Sequence, residues 1–125
     1  ATYLRFASHV STLKEDLTVF LHALKGRGKR LAAYGASAKG NVLLNYCQFG
    51  RETLDYVVDD TPAKQGKLYP GNLLPIVNRD HLRTSPPDYL LLLAWNFVEE
   101  MVANTADYRA RGGRYIVPIP SLRVI

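Results

Sequence analysis

The sequence predicts an α/β domain built on a parallel five-stranded sheet of order 3-2-1-4-5, with a helix ahead of the first strand. Three observations predict it. Short apolar runs alternate with helix-period segments along the chain. Two of those runs, Tyr56-Val57-Val58 and Leu90-Leu91-Leu92-Leu93, are continuously apolar, as in strands covered on both faces. A glycine, Gly35, stands where the first strand gives way to a helix.

Taken in order, residues 9–25 read as an amphipathic helix. Val10, Leu13, Leu17, Phe20, Leu21 and Leu24 recur at helical spacing, with Lys14, Glu15 and Asp16 opposite. Ser8 or Ser11 is the expected cap, and Gly26 with Gly28 the stop. Residues 30–34 form the first strand, 37–49 a helix and 54–59 the second strand. Residues 61–72, with two prolines and two glycines, form a loop. Residues 74–77 suit a short edge strand, because Pro75 is tolerated only at an edge. Asn78 caps a brief helix carrying Asp80 and Leu82. Residues 88–95 form a buried strand and 97–109 a helix with Phe97, Met101 and Tyr108 on its apolar side. Gly112-Gly113 ends that helix, and residues 114–118 form the last strand. Right-handed crossovers then place helices on both faces, which makes a three-layer Rossmann-like domain. Its ligand crevice lies at the switch point between the first strand and the one ending at Trp95, beyond the carboxyl ends.

The 125 residues fit one domain, residues 1–125, able to bury roughly two thirds of its unfolded surface. Lys and Arg (16) outnumber Asp and Glu (11), yet they are spread along the chain with no basic stripe interleaved with aromatics. That argues against nucleic acid. No apolar run approaches the roughly 20 residues of a membrane span. The single Cys47 excludes an internal disulfide and a cysteine-based zinc site, and predicts a reducing, cytoplasmic setting. Its place on the apolar side of a helix predicts a buried, inert thiol.

Three segments meet at the crevice: residues 35–40, 59–67 and 95–97. In the first, Gly35 permits a tight turn, and Ser37, Ala38 and Lys39 open a helix whose free amides favour an anion. Gly40 allows close helix–strand packing. The pattern is G-x-S-x-K-G, with Ser37 in place of the glycine that admits a dinucleotide pyrophosphate. Alone, it is explained as well by a helix cap with a surface lysine as by phosphate binding. Asp59 and Asp60 fall about 20 residues past the glycine turn, where such folds place an acid on a ribose hydroxyl. Neighbours on a strand face opposite ways, so one aspartate is expected at the ligand and the other on the Thr61-Pro62 turn. Lys64, Gln65, Lys67 and Tyr69 either cover the crevice or form a solvated loop. Trp95 stacks on a sugar or base, or else packs in the core; Asn96 caps the next helix, faces the ligand, or does both. His9, His22 and His81 have no ligand spacing and read as surface residues. No nucleophile elbow, Walker A loop or zinc-protease motif is present, so no catalytic residue and no metal ligand is assigned.

Several segments together resemble a known family. They are Tyr34-Gly35-Ala36-Ser37-Ala38-Lys39-Gly40-Asn41 with Leu44-Asn45-Tyr46-Cys47, and Asp55-Tyr56-Val57-Val58-Asp59-Asp60-Thr61-Pro62 with Lys64-Gln65-Gly66. Pro70-Gly71, Pro75-Ile76, Leu92-Leu93-Ala94-Trp95-Asn96-Phe97, Arg111-Gly112-Gly113-Arg114 and Ile116-Val117-Pro118-Ile119-Pro120 complete the set. The combination resembles the C-terminal domain of the sugar C-methyltransferases over nearly the whole chain. The resemblance implies an enzyme with an N-terminal zinc-binding region, a middle S-adenosylmethionine-binding domain and this domain. Such enzymes methylate a carbon of a nucleotide-linked keto-deoxysugar: a base removes the proton beside the keto group, and the enolate takes the methyl group. It further implies that the base lies in the middle domain, and that this domain helps to hold the nucleotide-sugar against it. On that reading the chain is a fragment of a longer enzyme, binds neither cofactor itself and transfers no methyl group alone. An NAD(P)-binding oxidoreductase domain and a non-catalytic scaffold are the competing readings.

Overall fold

The computed structural model describes residues 2–119 and 122–125, with side chains from residue 13 onward. Ala1 and Pro120, and the side chains of His9 and Val10, therefore lie outside what is described below. The elements run α1 (Thr2–Gly26), β1 (Leu31–Tyr34), α2 (Ala38–Tyr46), β2 (Val57–Val58), β3 (Ile76–Val77), α3 (His81–Thr84) and β4 (Tyr89–Leu92). A 3-10 turn (Trp95–Phe97), α4 (Val98–Asn104), α5 (Ala106–Ala110), β5 (Arg114–Val117) and β6 (Arg123–Val124) follow. The sheet has the order β3-β2-β1-β4-β5-β6, parallel through β5, with β6 antiparallel on β5.

Strand side chains alternate between two cores. Leu31, Ala33, Val57, Leu91, Leu93 and Ile116 pack with Leu17, Leu21 and Leu24 of α1 and Leu44 of α2. Ala32, Tyr34, Val58, Leu90, Leu92 and Val117 pack with Leu82 of α3, Met101 of α4 and Tyr108 of α5. Truncating one of the fully buried leucines to alanine costs about 2–5 kcal/mol. The three-layer architecture and the order of the first five strands are those expected from the sequence.

Five local expectations are corrected. α3 begins at His81 with Asp80 ahead of it, so Asn78 does not cap the helix; its Oδ1 accepts the Asp80 amide at 2.9 Å. α1 begins at Thr2, so Ser8 and Ser11 lie within the helix and not at its start; Leu4, Arg5 and Ala7 are good helix formers with no breaker among them. α2 ends at Tyr46, three residues early, because Gln48 turns left-handed (φ 59°). The Phe49 amide then donates to the Leu44 carbonyl at 2.9 Å and the Gln48 amide to Asn45 at 3.1 Å, which closes the helix. The helix expected over 97–109 is broken at Thr105, a buried residue whose hydroxyl donates to the Met101 carbonyl (2.8 Å) and lies 2.6 Å from the Tyr115 hydroxyl. Phe97 sits in the 3-10 turn ahead of α4 and is 59% exposed, outside the apolar face formed by Met101 and Tyr108.

The edge strand behaves as Pro75 demands. Pro75 opens that strand, its carbonyl accepting the Val57 amide at 2.9 Å, and the 66–69 segment turns back along the outer side: the Ile76 amide donates to the Lys67 carbonyl and the Gly66 amide to the Ile76 carbonyl, both at 2.9 Å. β6 was not foreseen. It is held by the reciprocal Tyr115–Ile125 amide–carbonyl pair at 3.1 and 3.0 Å.

Burial raises the hydroxyl pKa of Tyr34, Tyr56, Tyr69 and Tyr108, with Tyr56 pushed up to about 12 by burial and then by the Asp55 charge. An unfolded tyrosine ionises near pH 10. Above that pH the unfolded chain holds fewer protons than the folded one, so stability is full below about pH 10 and falls as pH rises toward 12. Urea midpoints should therefore drop from pH 9 to pH 11, with tyrosinate absorbance appearing together with unfolding. Tyrosinate absorbance from all the tyrosines near pH 10 with no change in midpoint would contradict it.

Candidate functional site

The site is built at the carboxyl ends of β1, β2 and β4. β1 runs into Gly35, whose φ of +95° suits a residue without a side chain. A Cβ there would stand 3.1 Å from both Ala94 Cβ and Met101 Cε. Ser37 then caps α2, its Oγ accepting the Gly40 amide at 3.0 Å. Gly40 faces the end of β4 so closely that a Cβ would lie 2.6 Å from Leu93 Cβ. The close packing expected of Gly40 is thus made with the neighbouring strand's terminal residue.

The turn is clamped from β2 and the loop after it. Asp59, 8% exposed, accepts the Ala36 amide on Oδ2 and the Thr61 amide on Oδ1, each at 2.8 Å. Lys64 Nζ donates to the Ala36 carbonyl at 3.0 Å and lies 3.8 Å from Asp59 Oδ2. Gln65 donates to the Asp59 carbonyl at 2.9 Å, and the buried Tyr69 hydroxyl donates to the Ser37 carbonyl. The loop at 61–72 is therefore not merely solvated, since Tyr69 and Lys64 both grip the glycine turn. The Ala36 amide, just ahead of the expected anion-binding donors, is occupied by Asp59. The outer amides of Ala38 and Lys39 remain at the exposed first turn of α2, with the Lys39 ammonium beside them.

Asp60 turns the other way. Its Oδ2 accepts the Tyr34 hydroxyl at 2.5 Å and its Oδ1 faces Arg79 Nε at 2.8 Å. Arg79 also donates to the Asn104 carbonyl at 2.6 Å, at the end of α4. Tyr34 ionises well above its ordinary range, through burial first and the Asp60 hydrogen bond second.

A cleft of about 420 Å³ opens over these groups, walled by Tyr34, Gly35, Asp60, Phe97, Glu100 and Asn104. Trp95 and Asn96 do not enter it. β4 stops at Leu92, and both residues lie in the 3-10 turn, lining a second groove with Phe97, Glu99, Glu100 and Arg123. Asn96 does not cap α4, which starts without a side-chain cap. Of the residues singled out from sequence, the structure gathers Gly35, Asp59 and Asp60 at the cleft. It places Ser37, Ala38, Lys39 and Gly40 on the adjoining turn, Lys64 behind that turn, and Trp95 and Asn96 beyond Phe97. Cys47 is buried, and burial raises its thiol pKa. His22 and His81 are exposed. Among the described residues no three His, Cys, Asp or Glu side chains come together as a metal site, and no helix is long and apolar enough to cross a membrane.

The sequence model of the C-methyltransferase C-terminal domain family matches residues 1–120. The chain belongs to that family. A relative of the domain is the C-methyltransferase NovU of Streptomyces niveus, 39% identical over 123 residues. The match covers 98% of this chain and 29% of that protein, so the chain spans less than a third of the relative's length. In this C-methyltransferase C-terminal domain, Tyr34, Phe97, Glu100, Asn104 and Arg123 line the two openings, and Arg79 pairs with Asp60 at one of them, without having been singled out as site residues. Arg79 carried no signal, because it follows the edge strand and reaches Asp60 only through the fold. Phe97 carried a misleading one, its apolar side chain suggesting a core position.

Removing the Asp59 carboxylate leaves two amides without acceptors, and charge-assisted bonds of this kind are worth about 1.5–3 kcal/mol each. Asp59→Ala should lower unfolding free energy by about 2–4 kcal/mol in urea titration, with Asp59→Asn intermediate. A loss under about 0.5 kcal/mol would mean that the clamp does not hold the turn.

Proposed function

We propose that this domain holds the nucleotide-linked sugar substrate of an S-adenosylmethionine-dependent sugar C-methyltransferase and supplies no catalytic group. The observation that carries the reading is the braced turn at residues 35–40, which borders the cleft at the carboxyl ends of β1 and β2 in a member of a C-methyltransferase family. The diphosphate lies against the outer amides of Ala38 and Lys39, with the Ser37 hydroxyl and the Lys39 ammonium giving donors and charge, while Lys64 acts from the other side by bracing the turn. Gly35 keeps the approach open, and Gly40 lets α2 pack closely on Leu93. Asp59 contributes by fixing the turn, and Asp60 borders the ligand through its exposed side; Trp95 and Asn96 extend the surface. S-adenosylmethionine, zinc and the proton-abstracting base belong, in this reading, to other domains of a cytoplasmic enzyme. The methyltransferase domain covers the open side of the cleft; membrane and nucleic acid have no part in it.

Geometry also weighs against a nicotinamide cofactor. A dinucleotide needs a carboxylate near the end of β2 that is free to accept the ribose hydroxyls. Here Asp59 takes the Ala36 amide, and Tyr34 and Arg79 already hold both oxygens of Asp60.

Thermal-shift titration of the 125-residue chain with thymidine-diphosphate glucose, NAD and S-adenosylmethionine separates the readings. Stabilisation by the sugar nucleotide alone is expected, reaching about 2.7 kcal/mol at a hundred times Kd. Stabilisation by NAD would indicate an oxidoreductase domain, and by none of the three a scaffold. Lys39→Ala should weaken sugar-nucleotide binding roughly three- to tenfold, and unchanged affinity would remove its phosphate role. With S-adenosylmethionine and a keto-sugar nucleotide the chain alone should show no methyl transfer; turnover would place the catalytic groups in this domain.

A further inference from the structure

The second groove, about 600 Å³, is walled by Trp95, Phe97, Glu99, Glu100, Arg123 and Ile125. It exists because β6, antiparallel on β5, sets Arg123 opposite Val117 at the carboxyl end of β5 and, with Ile125, against the 3-10 turn. Phe97 and Glu100 line both this groove and the cleft over Gly35, so the two openings are neighbours on either side of them. Gly35 in turn abuts Ala94, one residue before Trp95.

We propose that this groove is the sugar-ring subsite, and that it fixes the direction in which the ligand lies. The inference rests on the reading of the domain as a nucleotide-sugar holder and deepens it. An aromatic ring left 59% exposed at the groove, beside half-buried Trp95, offers a flat apolar face for the C–H face of a pyranose. Glu99 and Glu100 take part in none of the ion pairs among the described residues, and ionised carboxylates accept hydroxyl donors. Arg123 supplies donors to ring oxygens. Two carboxylates against one guanidinium repel a diphosphate, whereas the α2 start presents Lys39 and free amides. The charges therefore orient the ligand, with phosphates at residues 37–39 and the sugar at 95–100.

Calorimetric titration of the 125-residue chain with thymidine diphosphate and with thymidine-diphosphate glucose tests this. The glucose-bearing probe should bind about fivefold or more tightly than the diphosphate. Phe97→Ala and Glu99→Gln, both at exposed positions, should each remove most of that advantage while leaving thymidine diphosphate affinity unchanged. Lys39→Ala should instead weaken both probes alike. Equal binding of the two probes by the unsubstituted chain overturns the sugar subsite alone. So does loss of thymidine diphosphate affinity in Phe97→Ala and Glu99→Gln to the same degree as the glucose form. Binding of neither probe overturns the nucleotide-sugar reading and the subsite with it.

Discussion

A single buried carboxylate holds the carboxyl edge of this sheet together. Asp59 leaves the end of β2 and takes two backbone amides, one from the turn after β1 and one from its own following loop. Those amides sit where the chain leaves the sheet, too far from any ladder to be paired by it, and an unpaired buried amide costs about 1–3 kcal/mol. Because the carboxylate answers both, β1 can bend at Gly35, α2 can start one residue past Ser37, and the 61–69 segment can fold back with Lys64 and Tyr69 against the turn. The cleft owes its shape to that set of contacts.

The neighbouring aspartate does different work because strand geometry sends it to the opposite face. Asp60 joins Tyr34, Arg79 and the end of α4 into one chain of charge-assisted hydrogen bonds. Two consecutive acidic residues thus tie the helical layers on both sides of the sheet to the same edge. The carboxyl end of the sheet is therefore rigid on either side of the opening, which suits a surface that must present a ligand in fixed geometry.

Much of this was legible in the sequence, for identifiable reasons. Strand periodicity, the glycine at the first β–α junction and the edge proline each constrain the backbone locally, and they gave the layers and the strand order. Dispersed segments, none specific alone, gave the family. What escaped depends on contacts between distant residues. The helix break at Thr105 needs the Tyr115 hydroxyl to hold it, and β6 is two residues long and begins with an arginine. Arg79 is an ordinary surface residue until the fold carries it to Asp60. Phe97 is apolar and in helical register with Met101, so periodicity assigned it to the core; the 3-10 turn turns it outward. At the site, residue types marked the region, whereas the division of roles between Asp59 and Asp60 required three dimensions.

The central position of β1 has a consequence for how the chain reaches this state. Its two sheet partners begin at Val57 and Tyr89, and both pairings are parallel, so neither can form as a local hairpin. During synthesis β1 emerges early and waits, with only α1 and α2 to shelter one apolar face, until residue 92 has left the ribosome. The opposite face, ending in Tyr34, gains Leu82 of α3 first and is completed by α4 and α5. Sheet closure is accordingly a late, non-local event of the kind that folds slowly. The long amphipathic α1, made before any strand of this sheet, acts as a temporary cover for the strand on which every later pairing depends.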